Sequence, residues 1–325
     1  MNKNRSIAIV DEQRLRESVK LNKALVFEML KAFTLYSSGS ADVPPIMQIL
    51  SRTNGGQTCV KSAISTELPG YAIKISSNFP GNPAMGVPVG NGLMTLFDTV
   101  TGEVDSIFLD NGYLTQLRTA AAGGVAADIL ARKNAVNVCI LGTGLQAKLQ
   151  AEVLMLVRDI EHISIWGRDL DKASRLAETL QAELNIECQA VSDLPGAVSR
   201  ADIVVTTTTS DRPILMKDWL RAGQHITAMG SDSPSKNEVD PGVAFLVDKY
   251  FCDSISQCEL LGELHHAKAY EGECGTIQPE ELGNVILKKC PGRTTQKEIT
   301  FMDLTGIGTQ DALIALYAKA KLNNE

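Results

Sequence analysis

The segment VNVCILGTGLQA, residues 136–147, carries the sharpest chemical signal in this chain of 325 residues. A β-branched apolar run stops at Gly142, and Gly142-x-Gly144-x-x-Ala147 follows, with helix-forming residues from Gln146 onward. Gly142 permits a tight turn, and Gly144 lets the backbone approach a pyrophosphate. Ala147 lets the new helix pack closely on the strand, its N–H groups and positive dipole end facing the phosphates. A GxGxxA pattern alone is weak evidence. Here it follows a strand and opens a helix, as the mechanism requires. The plainer alternative is an ordinary glycine-rich turn between a strand and a helix.

Other residues bear on which dinucleotide binds and what it would act upon. NAD-selective folds end their second strand on an acid that holds the ribose 2′-OH. The corresponding strand here ends Trp166-Gly167-Arg168-Asp169, which puts Gly167 at that position. A missing carboxylate removes repulsion against a 2′-phosphate, and Arg168 can pair with that phosphate. This favours NADP(H); NAD(H) fits if Asp169 takes the ribose and Arg168 is solvated. Arg118, on an Ala-rich helix, can clamp a carboxylate bidentately or serve as a cap or salt-bridge residue. Lys74 lies in a strand-like run, on the face opposite Ile73 and Ile75. It faces either solvent or a cleft that takes an anion; Lys61 in CVKSA is a weaker candidate of the same kind. Asp232 follows a strand end, where ligands of parallel sheets bind. It can exchange a proton in imine chemistry or form an Asx-turn before Pro234. The hydroxyls of Thr206–Thr209 can touch ribose or phosphate, or cap a turn.

These residues need elements to position them. Downstream of the glycine turn, strands and helices alternate. Strands are expected at His162–Trp166, Glu187–Val191, Asp202–Thr208, His225–Met229 and Phe245–Cys252. Helices are expected at Asp171–Leu184 and Asp193–Arg200. That pattern means βαβ units and a parallel sheet. Upstream, a helix at Asn22–Tyr36 is expected to bury Ala24, Phe27, Leu30 and Phe33. Strands follow at Ile46–Leu50, Gln57–Ser62, Tyr71–Ser76, Leu93–Asp98 and Val104–Leu109. Turn signals at Asn54-Gly55-Gly56, Pro80-Gly81-Asn82-Pro83 and Thr101-Gly102 separate them and point to an antiparallel or mixed sheet. Tyr113–Ala131 reads as a long helix leading into the nucleotide domain. The tail, a strand at Ile299–Asp303 and a helix at Thr309–Lys321, either closes the parallel sheet or returns to the first domain; the return is preferred.

Composition narrows the class. Hydrophobic residues make up 44% of the chain, enough for a sizeable core, and the net charge of −7 with no basic stretch argues against nucleic acid as a partner. No apolar run approaches the ~18–20 residues of a membrane span. The N-terminal MNKNRSIAIVDEQRL lacks a signal-peptide core, because IAIV is short and charge follows at once. Seven scattered cysteines form no CxxC pair, and four histidines add no zinc spacing. The expectation is a cytoplasmic protein with reduced thiols and no metal.

Several segments together, GTGLQA, LDNGYLTQLRTAAAGGVAA, MGSDSPSKNEVDP, CPGRTTQKEIT and FMDLTGIGTQDALIA, resemble the ornithine cyclodeaminase/mu-crystallin family. The resemblance runs from about Val43 to Lys319. CVKSA, YAIKIS, GVPVGNGLM and FLDNGYL are similar to the branch found with ectoine-utilisation genes, to which iminosuccinate reductases are related. It implies an α/β fold with a Rossmann-like dinucleotide-binding domain at 119–304 and an α+β substrate and dimerisation domain at 1–118 with 305–325. It implies a homodimer acting on a small imino or amino acid. Lys74 matches the family's substrate-carboxylate lysine. Arg118 matches the arginine touching carboxylate and cofactor, and Asp232 the acid handling the amino group. Leu145, Gln146, Thr207, Thr227 and Lys236 match cofactor-contacting positions; Thr119 and Met229 are grouped with them. Leu304 and Thr305 match the loop near nicotinamide and substrate.

The departures matter as well. Pro44-Pro45-Ile46-Met47-Gln48 lacks the second substrate arginine of many cyclodeaminases, and GSDSPSKNEV stands where they tend to read GGDCPGKTEL. Ornithine is therefore disfavoured. The expected activity is NAD(P)H-dependent reduction of a small imino acid, or the reverse dehydrogenation. The alternatives are a cyclodeaminase using bound NAD+ and a non-catalytic binder of the mu-crystallin kind.

Overall fold

The structure is a computed structural model that describes residues 7–51 and 55–323. Residues 1–6 and Asn54 of the first turn signal lie outside the described residues. The chain divides into two compact units, Met1–Arg118 with Ile307–Glu325, and Thr119–Gly306.

The first unit is built on one sheet. Its strands are β1 (Ala8–Asp11), β2 (Ala41–Asp42), β3 (Met47–Leu50), β4 (Gln57–Ser65), β5 (Gly70–Asn78), β6 (Gly90–Asp98) and β7 (Val104–Leu109). They run in the order β1-β7-β6-β5-β4-β2, with β3 also paired to β4. Among the described residues of this sheet, only β1 and β7 pair in parallel. The helices are α1 (Glu12–Ser18), α2 (Lys23–Ser38), the start of α3 (Tyr113–Leu130) and the last helix of the chain, α11 (Gly308–Leu322).

Helix α2 starts where Asn22 accepts a hydrogen bond from the Leu25 N–H, and stops at Gly39, whose φ of 76° suits glycine. It buries Leu25, Met29, Ala32 and Phe33, while Phe27 is exposed, so the expected stripe through Phe27 is rotated. Phe27 shares its face with Lys23, Lys31 and Thr34, so the apolar stripe read from the sequence missed the inner face. Helix α11 packs on β4, β5 and α2. The β1–α1 pair has no counterpart in the sequence reading.

The second unit holds a parallel sheet of eight strands: β8 (Asn137–Leu141), β9 (His162–Trp166), β10 (Glu187–Ala190), β11 (Ile203–Thr206), β12 (His225–Ala228), β13 (Lys249–Cys252), β14 (Pro279–Glu281) and β15 (Thr300–Asp303). The order is β10-β9-β8-β11-β12-β15-β13-β14, and every pairing is parallel. Helices α4 (Leu145–Val157), α5 (Leu170–Leu184) and α6 (Leu194–Arg200) connect the early strands. Shorter helices α7 (Val243–Leu246), α8 (Ile255–Leu261), α9 (Glu263–Ala267) and α10 (Leu282–Ile286) follow.

This is a doubly wound sheet, with its order reversing between β8 and β11, where ligands of such sheets bind. The tail does both things the sequence allowed. Strand β15 inserts between β12 and β13 in the parallel sheet, and α11 belongs to the first unit. The expected strand Phe245–Cys252 is corrected: residues 243–246 are helical and only Lys249–Cys252 is strand. Asp240 starts that turn by accepting from the Gly242 N–H, and a short apolar run cannot be told from strand by periodicity.

Candidate active site

In the first unit, the side chains of β5 alternate, and the buried face carries Ala72 and Lys74. Lys74 is 1% exposed, so it does not face solvent. Its Nζ lies 2.9 Å from Asp311 Oδ1 and 2.8 Å from Oδ2. Arg118, on α3, places Nε 3.1 Å from Asp311 Oδ1, and its Nη1 donates to Gln310 Oε1 at 3.1 Å.

Asp311 and Gln310 stand on the first turn of α11, which reaches this depth because it starts at Gly308. A Cβ on Gly308 would fall 2.1 Å from the Ser62 carbonyl oxygen of β4. Burial, then the Arg118 charge, pushes Lys74 from 10.5 down to about 7, with Asp311 working against the shift. Burial raises the Asp311 carboxyl, but Lys74 and Arg118 outweigh it and hold the group below its ordinary value. The Gln310 Nε2 donor is buried and has no acceptor. Buried polar groups are normally satisfied, so an acceptor such as a carboxylate fits this place.

In the second unit, the glycine turn meets the test of a pyrophosphate site. Gly142 has a φ of 140°, and a Cβ there would lie 2.1 Å from Thr207 Oγ1. Nothing lies within 4 Å of a Cβ built on Gly144. Gly144 is the N-cap of α4 and offers no side-chain cap, and the space a side chain would fill there is open, so a phosphate can approach the positive end of the helix. Leu145 is exposed beside it. These features fit a dinucleotide's phosphates.

Gly167 is also explained: a Cβ there would come 2.5 Å from Thr143 Cγ2, so the residue between the glycines of the turn occupies the space of a side chain at 167. Asp169 caps α5 by accepting from the Lys172 N–H. Arg168 is exposed and makes no ion pair among the described residues.

The remaining expected residues sit at the strand ends or close by. Thr207 donates through Oγ1 to the Leu141 carbonyl, tying β11 to β8. Thr227 is buried, with Oγ1 3.0 Å from His225 Nε2. Burial, together with Arg293 and Arg158, pushes His225 down to about 3, so it is neutral. Met229 is buried after β12, and Thr119 is partly exposed on α3. Asp232 is exposed and ion-paired with Lys236 at 2.5 Å, so the fold brings these two together. Leu304 and Thr305 are buried after β15. The Thr305 hydroxyl donates to Asp253 Oδ1, and its N–H and that of Gly306 donate to Oδ2.

Sequence reasoning missed the acids that hold this architecture. Asp311 and Gln310, inside the segment FMDLTGIGTQDALIA, were given no role of their own, although an acid and an amide opening an apolar helix are a signal. Glu238 accepts from Thr206 Oγ1, the Thr208 N–H and the Gly230 N–H, joining the ends of β11 and β12. Glu263 in turn accepts from the N–H groups of Glu238 and Val239 and from Asn237 Nδ2. Cys252, Cys258 and Asp303 also meet, their ligand atoms within 4.8 Å of one another. Burial pushes the Cys252 thiol up to about 11.

A glycine turn opening a helix beside the switch point of a doubly wound parallel sheet defines a dinucleotide-binding protein. The chain belongs to the ornithine cyclodeaminase/mu-crystallin family, which it matches over residues 8–325. It is 46% identical over 318 residues to an uncharacterized cyclodeaminase of Sinorhizobium fredii, covering 96% of this chain and 95% of the relative. Its fold is similar to that of Δ1-pyrroline-2-carboxylate reductase of Thermococcus litoralis, solved with NADH and L-proline (TM-score 0.90, 25% identity, 98% of each chain). It is equally similar to iminosuccinate reductase of Paracoccus denitrificans, solved with NAD+ (TM-score 0.90, 28% identity, 98% of this chain and 97% of that one). Among the described residues, no helix is long and apolar enough to cross a membrane.

Proposed function

We propose that this protein is a nicotinamide-dependent oxidoreductase that reduces a small imino acid to the amino acid, or runs the reverse reaction. The observation that carries this reading is the burial of Lys74 and Arg118 around one carboxylate, beside the donor of Gln310 that lacks an acceptor. Two cations and a free amide N–H form a receptor for an α-carboxylate. The solved relatives named for imine reduction support it.

Lys74 and Arg118 hold the substrate carboxylate in this reading. Asp232 exchanges the proton of the substrate nitrogen, steadied by Lys236. A protonated iminium is far more electrophilic than a neutral imine, and such proton transfer contributes roughly 10²–10⁴ in rate. The bound dinucleotide supplies the hydride. With the dinucleotide bound, carbon would gain its hydride and nitrogen the proton that Asp232 handles, turning C=N into CH–NH as the nicotinamide is oxidised. Gly142, Gly144, Leu145 and Gln146 take the phosphates. Thr119, Thr207, Thr227, Met229, Lys236 and Leu304 complete the cofactor contacts, and Thr305 the substrate loop. NADP(H) is preferred over NAD(H), because Gly167 leaves no acid and Arg168 is available for a 2′-phosphate. The protein works in the cytoplasm as a homodimer, with residues 1–118 and 305–325 as its substrate and dimerisation domain.

The test is NADPH and NADH oxidation with small oxo acids plus ammonia or methylamine, and with cyclic imines. Stoichiometric loss of nicotinamide absorbance is expected. The Sinorhizobium fredii relative's name favours a second reading, cyclodeamination. Diamino-acid turnover with no net change in nicotinamide absorbance would put that in place of the reductase.

A further inference from the structure

Away from the glycine turn, the second unit gathers soft ligands at the C-terminal ends of two neighbouring strands. Cys252 ends β13 and Asp303 ends β15, and the two are register partners in the parallel sheet. Cys258 comes to the same point from α8, whose start Ser254 fixes by accepting from the Gln257 N–H. All three side chains are buried, and their sulfur and carboxylate atoms lie within 4.8 Å of one another. Gly262, just after α8, lets the chain close over the acid: a Cβ there would fall 2.5 Å from Asp303 Oδ2.

Acceptors outnumber donors around this point. Asp303 Oδ2 accepts from the Leu264 N–H at 2.9 Å and from the Tyr250 hydroxyl at 3.0 Å. Oδ1 is buried and accepts from nothing among the described residues. The Cys258 thiol has a single proton, yet Asp253 Oδ1 lies 3.5 Å from its sulfur, the Asp303 carbonyl oxygen 3.7 Å and Thr305 Oγ1 3.8 Å. The charges that act most on Asp303 and on nearby Glu263 are other acids: Asp253 on the first, Asp303 and Glu238 on the second. Buried charges are normally paired or coordinate a metal ion. Cysteines that only filled space would not need a carboxylate oxygen left open beside them.

We propose that Cys252, Cys258 and Asp303 form a structural site for a thiophilic divalent cation of the zinc class. The two sulfurs select against magnesium and calcium, which take oxygen ligands. Binding replaces the thiol protons by the metal, the protons leave to solvent, and the carboxylate binds through the oxygen that has no donor. No electron is transferred. With all three ligands buried, the ion enters as the chain folds and ties α8 to the ends of β13 and β15. No C-x-x-C pair announces the site, because its third ligand arrives on a strand from further along the chain. The site is independent of the reductase reading.

The experiment uses the full chain, produced in cells supplied with zinc or with cobalt and then dialysed. Elemental analysis should find about one ion per chain, as a single closed site requires. The cobalt form should show the near-ultraviolet absorption of thiolate-to-metal charge transfer. Cys252→Ser and Asp303→Asn should each lower the metal content at least about tenfold. Cys274→Ser and Cys290→Ser, whose cysteines lie outside the cluster, should keep it. A ligand variant can misfold, so the wild type alone also decides. A wild type that is folded by circular dichroism, with under about a tenth of an ion per chain and no charge-transfer band, overturns the inference. So does metal that survives Cys252→Ser but is lost in Cys274→Ser or Cys290→Ser, which would make it an ion held by cysteines elsewhere. A Cys252–Cys258 disulfide in the wild type, seen as thiols missing from titration in denaturant, overturns it as well.

Discussion

A lysine buried against an arginine is costly unless a negative group offsets both charges, and Lys74 shows the consequence. Its pKa falls from 10.5 to about 7, first through burial and then through Arg118. The sign of the linkage follows. Between about 7 and 10.5 the unfolded chain holds a proton that the folded chain has released, so stability rises with pH across that window; below 7 the cost of the buried charge is fully present. Substrate binding runs the other way, because only protonated Lys74 attracts a carboxylate. The value of kcat/KM should fall about tenfold per pH unit above about 7, since that parameter reports the free enzyme. The kcat limb should lie higher, because a bound carboxylate favours the ammonium. Lys74→Arg should lose the limb, and a wild-type profile flat to pH ~9 would rule out Lys74 as the carboxylate's partner. Arg168 allows a second residue-scale measurement. Arg168→Ala should weaken NADPH by about 10- to 100-fold and leave NADH within about twofold; an unchanged preference would remove NADP(H) selectivity. Both residues stood out in the sequence, as a cation inside a strand and a cation replacing an acid. Asp311 did not, because its importance comes from a strand more than two hundred positions away in the chain.

At the scale of elements, the candidate site is set by a few close approaches that only particular residues allow. Helix α11 meets β4 at Gly308, and Gly308→Ala should cost about 1–3 kcal/mol by pushing the helix off the Ser62 carbonyl. Thermal unfolding measures that, and no loss would mean that the helix start moves freely. Glu238 fixes the ends of β11 and β12 by accepting from Thr206, Thr208 and Gly230. Glu238→Gln turns one acceptor into a donor facing donors, a loss of about 1–3 kcal/mol. It should lower the melting temperature and raise the dinucleotide Kd together. A lower melting temperature with unchanged affinity would confine Glu238 to stability.

Helices and strands with clear periodicity were legible: HISIW and Val104–Leu109 fall where expected, and the glycine turn opens α4. The segment between β12 and β15 was not. Its helices have only four to seven residues, too short for a period to show. Strand β15 entering between β12 and β13 is a long-range pairing that no local pattern announces.

At the scale of the whole molecule, the sheet of the first unit leaves a face that a lone chain does not cover. Alternation sends Lys74, Met94 and Phe108 to the buried side, and Ile75, Leu93 and Ile107 to the other. That second face continues through Met47 and Ile49 of β3 to Ile9 of β1, with Ile9 68% and Ile49 56% exposed. Exposed apolar side chains spread over this face are what a subunit interface would cover, and we propose that they form one. A second copy supplies a matching surface, since a two-fold pairing puts the same patch on both sides. Each chain carries a net charge of −7, so pairing must overcome mutual repulsion. Salt should therefore tighten the dimer by screening that repulsion. The wild type should sediment at twice its 35.0 kDa. Ile49→Glu with Leu109→Glu should sediment as the single chain with its circular dichroism intact, because both side chains are already in water in the isolated chain. A double variant that remains dimeric would move the interface elsewhere, and a wild type that sediments as one chain would leave this face without a second copy to cover it.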